Sequence, residues 1–159
     1  MDGFVIRDAV AGDREQIGLL WLYLMRYHSE RDSRFQCAAH DSEQYERHVV
    51  ETMRSKNGRV IVAQDVATSE IVAYILGEIQ VRPTISIPGT YGFVSDLYVS
   101  EEWRHGGIGR TLFEELKRWF AERNVLAVEL YVSQSNPEAI AFWREMGLAP
   151  FLQLMHGDL

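Results

Sequence analysis

One cysteine, Cys37, stands in a chain of 159 residues. No internal disulfide can staple this fold, and a reducing compartment suits it. Proline is scarce, at four residues, and 47% of the chain is hydrophobic, which excludes disordered and collagen-like classes. Basic residues are outnumbered: 16 Lys and Arg face 23 Asp and Glu, for a formal net charge of −7. That sign argues against a nucleic-acid partner and mildly favours cationic ligands. Long hydrophobic runs are missing as well. The run Ile71 to Leu76 falls far short of the roughly 20 residues of a membrane span, so no membrane association is expected. Asp2, Arg7 and Asp8 around the first apolar patch do not read as a signal peptide. The five histidines (28, 40, 48, 105, 156) show no helical i,i+4 pair and no cysteine partner, so no metal site is expected. The chain reads as one soluble, cytoplasmic domain spanning residues 1–159. At that size folding buries roughly 68–70% of the chain's surface.

What is present is a regular alternation of apolar patterns. Phe4 to Ile6 opens as a strand, and Asp13 to Gln16 reads as a capping box ahead of Ile17, Leu20, Trp21, Leu24 and His28 at helical spacing. Polar residues Ser29 to Asp41 form a candidate lid, after which Ser42 is expected to cap a second helix carrying Tyr45, Val49 and Met53. Strands follow at Arg59 to Val66, Ile71 to Val81 and Tyr91 to Val99, with Pro83 and Pro88-Gly89 punctuating the last connection. Gly107 to about Arg123 is helical, Leu126 to Val132 a strand, and Asn136-Pro137 caps a helix that Gly147 ends. A last short strand is expected at Leu148 to Met155. The class is α+β, with a mixed, mostly antiparallel central sheet, about four helices and one parallel crossover.

The strongest chemical signal is Arg104-His105-Gly106-Gly107-Ile108-Gly109, between an apolar strand and an amphipathic helix. Glycine costs about 1 kcal/mol relative to alanine inside a helix. A helix start stripped of side chains presents bare N–H groups to an anion. Neither common nucleotide pattern fits: no Gly-Lys-Ser/Thr follows, and Leu112 stands where the dinucleotide fingerprint needs glycine. A packing scaffold with no ligand would leave those glycines unexplained.

The run Asp96-Leu97-Tyr98-Val99-Ser100-Glu101-Glu102-Trp103-Arg104-His105-Gly106-Gly107-Ile108-Gly109 resembles the GNAT superfamily of acetyl-CoA-dependent N-acetyltransferases. So does the block from Leu130-Tyr131-Val132 through Asn136 to Phe142-Trp143 and Gly147-Leu148. The resemblance implies that acetyl-CoA is the cosubstrate and a primary amine the acceptor, with direct transfer in a ternary complex and a possible homodimer. Backbone groups of Leu97, Tyr98 and Val99 would pair with the pantetheine arm, and the Tyr98/Val99 N–H would polarise the thioester. The loop of Arg104, His105, Gly106, Gly107, Ile108, Gly109 and Arg110 would hold the pyrophosphate, and Asn136 would contact the pantetheine.

The departures bear on mechanism. Trp143 occupies the position where the family often has a tyrosine acid, and an indole N–H cannot serve. The glutamates that family members carry at the positions of Phe93, Ser95 and Tyr131 are absent. Asp96 and Tyr131 are the side chains left to take part in proton transfer, with ordered water. The acidic residues Glu30, Asp32, Asp41 and Glu43 around the lid suggest a small cationic amine, which Tyr23 and Tyr27 would cradle while Trp21 packs in the core. Protein or peptide N-termini are the alternative acceptors, and a non-catalytic acyl-CoA-binding or sensing module is the alternative to an enzyme.

Overall fold

The computed structural model describes residues 3–38, 41–83 and 89–157. Five strands, β1 (Phe4–Asp8), β2 (Gly58–Asp65), β3 (Ile71–Val81), β4 (Thr90–Val99) and β5 (Val128–Leu130), form one sheet in the order β1-β2-β3-β4-β5. Among the described residues four α-helices accompany them: α1 (Arg14–Ser29), α2 (Asp41–Arg54), α3 (Ile108–Glu122) and α4 (Pro137–Glu145). The pairs β1–β2, β2–β3 and β3–β4 are antiparallel, whereas β4 and β5, joined across α3, are parallel. This is the expected mixed α+β architecture with its single crossover.

The two middle strands are apolar without alternation because helices cover both faces of the sheet. Ile61, Ala63, Ala73, Ile75 and Val94 pack against Leu112, Phe113, Leu116 and Phe120 of α3. On the opposite face Val60, Val62, Tyr74 and Leu76 pack against Ile17 and Leu20 of α1 and Tyr45 and Val49 of α2. Each fully buried aliphatic or aromatic side chain contributes about 1.5–3 kcal/mol. The apolar run Ile71 to Leu76 is therefore a strand buried on both sides.

Close approach of α3 to the sheet depends on small residues beneath it. A Cβ on Gly92 would lie 2.6 Å from Cε2 of the Phe120 ring. Gly92→Ala is expected to destabilise the protein by about 1–3 kcal/mol through overpacking, read as a lower denaturant midpoint at unchanged slope.

Four local expectations need correction. Asp13 and Gln16 do not build a capping box. The buried Asp13 carboxylate instead accepts from Arg7 at 2.7 and 2.9 Å and from the Val10 N–H at 2.8 Å. Gln16 Oε1 accepts from the Ile71 N–H at 2.8 Å, so both residues tie α1 to the sheet rather than closing its first turn. Burial works to raise the Asp13 pKa, but the bonds from Arg7 and Val10 outweigh it and hold the carboxyl below its ordinary value. The second correction is that α2 begins at Asp41, so Ser42 lies inside the helix. Third, β5 is only three residues long, leaving Leu126 and Tyr131 outside it. Last, the strand expected at Leu148 to Met155 does not form. Pro150 has no N–H to give a ladder, and β5, itself so short, offers little to pair with. His40 and Pro88 lie outside the described residues.

Candidate functional site

The site begins where β4 and β5 part. They pair only over Gly92–Val94 and Val128–Leu130, while β4 continues to Val99. A register shift against β3 skips Ser95, since Leu76 faces Asp96 and Gly77 faces Val94. That bulge reverses which residues look outward. The Ser100 N–H bonds the Val72 carbonyl, so by antiparallel alternation Tyr98 and Asp96 direct their backbone groups at β3. Leu97 and Val99 turn theirs to the open side. The Val99 carbonyl there accepts from Arg104 Nε at 3.0 Å. The open edge thus presents the N–H and C=O of Leu97 and the N–H of Val99. Tyr98 contributes its ring instead, which faces α1 and lies 5.8 Å from the Arg104 guanidinium.

Beyond the edge, the chain enters α3 through two left-handed residues, His105 (φ 63°) and Gly107 (φ 82°). No side chain caps α3, and the backbone N–H groups of Gly106 to Arg110 find no backbone acceptor among the described residues. The left-handed φ of Gly107 favours glycine, and a Cβ there would meet nothing within 4 Å. The Gly109 position is different: its Cβ would rest 3.4 Å from Phe142 and 3.7 Å from Val99, an ordinary packing contact. An open strand edge running into an uncapped helix start suits a ligand with amides along its arm and an anion at its end.

Structure separates the roles of the remaining residues. Asn136 is buried and caps α4, with Oδ1 accepting from the Ala139 N–H at 3.0 Å, so only its amide N–H₂ is free to face the splay. Trp143 packs edge-on against Phe113 at 5.1 Å and Phe142 at 4.9 Å, as a wall between α4 and α3. Tyr131 lies just past β5, 80% exposed, with its ring edge-on to Phe93 at 5.4 Å. Asp96 points into the α1–α2 side, where its Oδ2 accepts from Tyr45 Oη at 2.9 Å. Tyr45 lies 3.2 Å from Tyr74 Oη and stacks on Trp21 at 4.6 Å. Burial raises the Asp96 pKa, opposed by the Tyr45 bond and the nearby His48.

A polar cleft of about 410 Å³ adjoins the splay on the α1 side, lined among others by Tyr27, Arg31, Tyr98, Arg104 and Glu138. Tyr27 spans it, its hydroxyl 3.3 Å from Glu138 Oε2 and 3.5 Å from Asn136 Oδ1. The aromatic faces expected to cradle an amine already carry arginines. Arg31 sits 3.4 Å over Tyr27, and Arg26 lies 5.1 Å from Tyr23. Trp21 is half-buried and packs against the core on the α1–α2 side. Asp32 is engaged by Arg34, which reduces the acidity around the lid. Sequence reasoning missed Tyr45 and Tyr74 as polar groups, because both sit on apolar stripes and their hydroxyls meet Asp96 only through the fold. It also missed Glu138, which nothing but its place beside the Asn136 cap could have flagged.

Among the described residues no group of three or more His, Cys, Asp and Glu side chains could hold a metal ion. Nor is any described helix long and apolar enough to cross a membrane. The sequence profile of the acetyltransferase (GNAT) family matches residues 21–148, and the chain belongs to that family. A tetramutant of the BH1408 protein from Bacillus halodurans is 26% identical, with 98% of this chain and 99% of that one covered at a TM-score of 0.83. The fold is shared with an aminoglycoside N-acetyltransferase AAC(6')-Iy in complex with CoA, at 11% identity, 100% and 97% coverage and a TM-score of 0.77. It is shared too with glucosamine-6-phosphate N-acetyltransferase from Arabidopsis thaliana, at 18% identity, 98% and 97% coverage and a TM-score of 0.73. No curated protein matches the chain in sequence.

Proposed function

We propose that the protein is an acetyl-CoA-dependent N-acetyltransferase that moves an acetyl group directly to a primary amine, with a small cationic amine as acceptor. The observation that carries this reading is the open β4 edge at Leu97 and Val99 leading into the uncapped start of α3. The Leu97 backbone would pair with the pantetheine amides as an added strand does, and the loop from Arg104 to Arg110 would hold the pyrophosphate. The amide of Asn136 would reach the pantetheine from α4, and Trp143 would back that wall. With the Val99 N–H directed at the thioester oxygen, charge developing on the carbonyl is stabilised. Attack by the neutral amine nitrogen on the thioester carbon forms the C–N bond and breaks the C–S bond. One proton leaves the nitrogen and one reaches the departing sulfur, through ordered water with Asp96 and Tyr131 as the side chains that would take part.

The acceptor class rests on the net charge of −7. It is tested by acetyl-CoA turnover with polyamines, aminoglycosides, amino acids and peptide N-termini. Turnover of cationic small amines is the expected result. Activity confined to neutral or anionic amines overturns the acceptor class, and CoA binding without turnover of any amine overturns the enzyme.

A further inference from the structure

If acetyl transfer is the reaction, as proposed above, an acceptor ammonium must shed a proton near β4. Asp96 is the carboxylate on that strand, and its surroundings are unusual for one. One phenol, Tyr45 from α2, bonds it directly, and a second, Tyr74 from β3, bonds Tyr45 behind it. Tyr74 is fully buried, and Tyr45 nearly so. Each phenol has a single O–H. Tyr45 donates its own to Asp96 Oδ2, so the proton between the two phenols comes from Tyr74, and the chain runs Tyr74 to Tyr45 to Asp96. The Trp21 ring, stacked on Tyr45 with an interplanar angle of 10°, holds that phenol in place.

We propose that Tyr74 and Tyr45 form a positioning relay that locks Asp96 Oδ2, leaving Oδ1 to receive the proton of the acceptor amine. The bulge at Ser95 is what makes this possible, since it turns Asp96 to the same face as Tyr74. The titratable groups around Asp96 are Tyr45 and His48 from α2, Tyr74 from β3 and Tyr98 from its own strand, while α1 contributes the uncharged Trp21. Of these, the Tyr45 bond and the His48 charge favour the carboxylate, and burial opposes it. The relay sets a balance: burial makes the carboxyl less acidic than a solvated one, and the Tyr45 bond limits that rise. Tyr45 and Tyr74 touch no reacting atom in this scheme and act only through Asp96.

The test titrates the Asp96 carboxyl carbon by ¹³C NMR in the free protein, with Asp96→Asn to assign the signal. The pH profile of kcat/KM is measured alongside, with the best acceptor amine. Tyr45→Phe keeps the ring and removes the hydroxyl, so the Asp96 midpoint is expected to rise by about 1–2 pH units. The acid limb of kcat/KM should rise with it. Tyr74→Phe, which leaves the Tyr45 donor intact, should shift both in the same direction by less, and keeps the test open if Tyr45→Phe folds poorly. A midpoint unmoved in both variants overturns the relay, whatever the activity shows. A midpoint that moves while the acid limb stays put shows that Asp96 does not take the proton, which overturns the relay's role while acetyl transfer stands. Absence of turnover with every amine overturns the reaction itself, and the carboxyl titration reports separately on whether the phenols set Asp96.

Discussion

Gly107→Asp is expected to abolish the thermal stabilisation that CoA confers, while Gly107→Asn keeps most of it. Position 107 is left-handed, at φ 82°, and open, with no atom within 4 Å of an added Cβ. Asn and Asp are the side chains that tolerate that conformation best, so both variants should fold. They have nearly the same shape and differ in one charge. In the free protein the aspartate faces the positive end of α3, which favours it by about 0.3–1 kcal/mol. Against a bound pyrophosphate it is a like charge in the same place, at a cost of several kcal/mol. One substitution should therefore leave the free protein unharmed and weaken CoA about 10²-fold or more. At 100-fold excess over its dissociation constant CoA adds about 2.7 kcal/mol to the wild type. That corresponds to about 5–10 °C in Tm for a chain of this size. ATP and NAD, which lack the pantetheine arm for the β4 edge, should give far less. Equal stabilisation by ATP would sink the cosubstrate assignment. An undiminished CoA shift in Gly107→Asp would remove the pyrophosphate from the start of α3.

Tyr131→Phe is expected to lower kcat about 10²-fold, with the KM for acetyl-CoA and the Tm unchanged. The Tyr131 ring is exposed and rests edge-on against Phe93, a contact that phenylalanine preserves. Stability should therefore stay within about 0.5 kcal/mol of wild type. The hydroxyl is the only part lost, and it is the phenol nearest the end of β5. General acids contribute about 10²–10⁴-fold. The lower end applies because a thiol with an ordinary pKa near 8.5 leaves tolerably well without full protonation. Single-turnover kinetics separate the acetyl-transfer step from binding. A kcat equal to wild type would hand thiolate protonation to water. A raised KM with unchanged kcat would make Tyr131 a binding residue.

Most of the architecture was legible because each element carries its own period. Leu112, Leu116 and Phe120 repeat every four residues on α3, and the Asn136-Pro137 pair marks the start of α4 as the structure has it. What failed were features that depend on partners distant in sequence. Asp13 looks like a cap from its neighbours alone, but Arg7, six residues away on β1, takes its carboxylate. Leu148 to Met155 has the apolar content of a strand, and only the shortness of β5 explains why it is not one. The glycine loop was readable because Gly106, Gly107 and Gly109 cluster and break helix propensity where a helix begins. The bulge that turns Asp96 toward Tyr74 was not, since a skipped residue leaves no mark on composition or spacing. Nor could the sequence show that Arg31 and Arg26 already lie over Tyr27 and Tyr23, because a cation and a ring three or four residues apart can equally point apart.

The shortness of β5 also bears on how the protein behaves at high concentration. Past α4, the large apolar side chains of Phe151, Leu152, Leu154 and Met155 are all more than half exposed. Such a stretch beside a long, flat outer strand would invite copies of the molecule to stack edge to edge. Here the sheet stops after a three-residue ladder whose middle residue, Glu129, is held in an ion pair by Arg82. Too few N–H and C=O groups remain in line for another chain to template on, and a charged pair sits among them. A surplus of negative charge over the whole chain adds mutual repulsion between molecules. The truncated β5 edge thus lets the protein carry a greasy tail without setting a long strand beside it on which aggregation would grow.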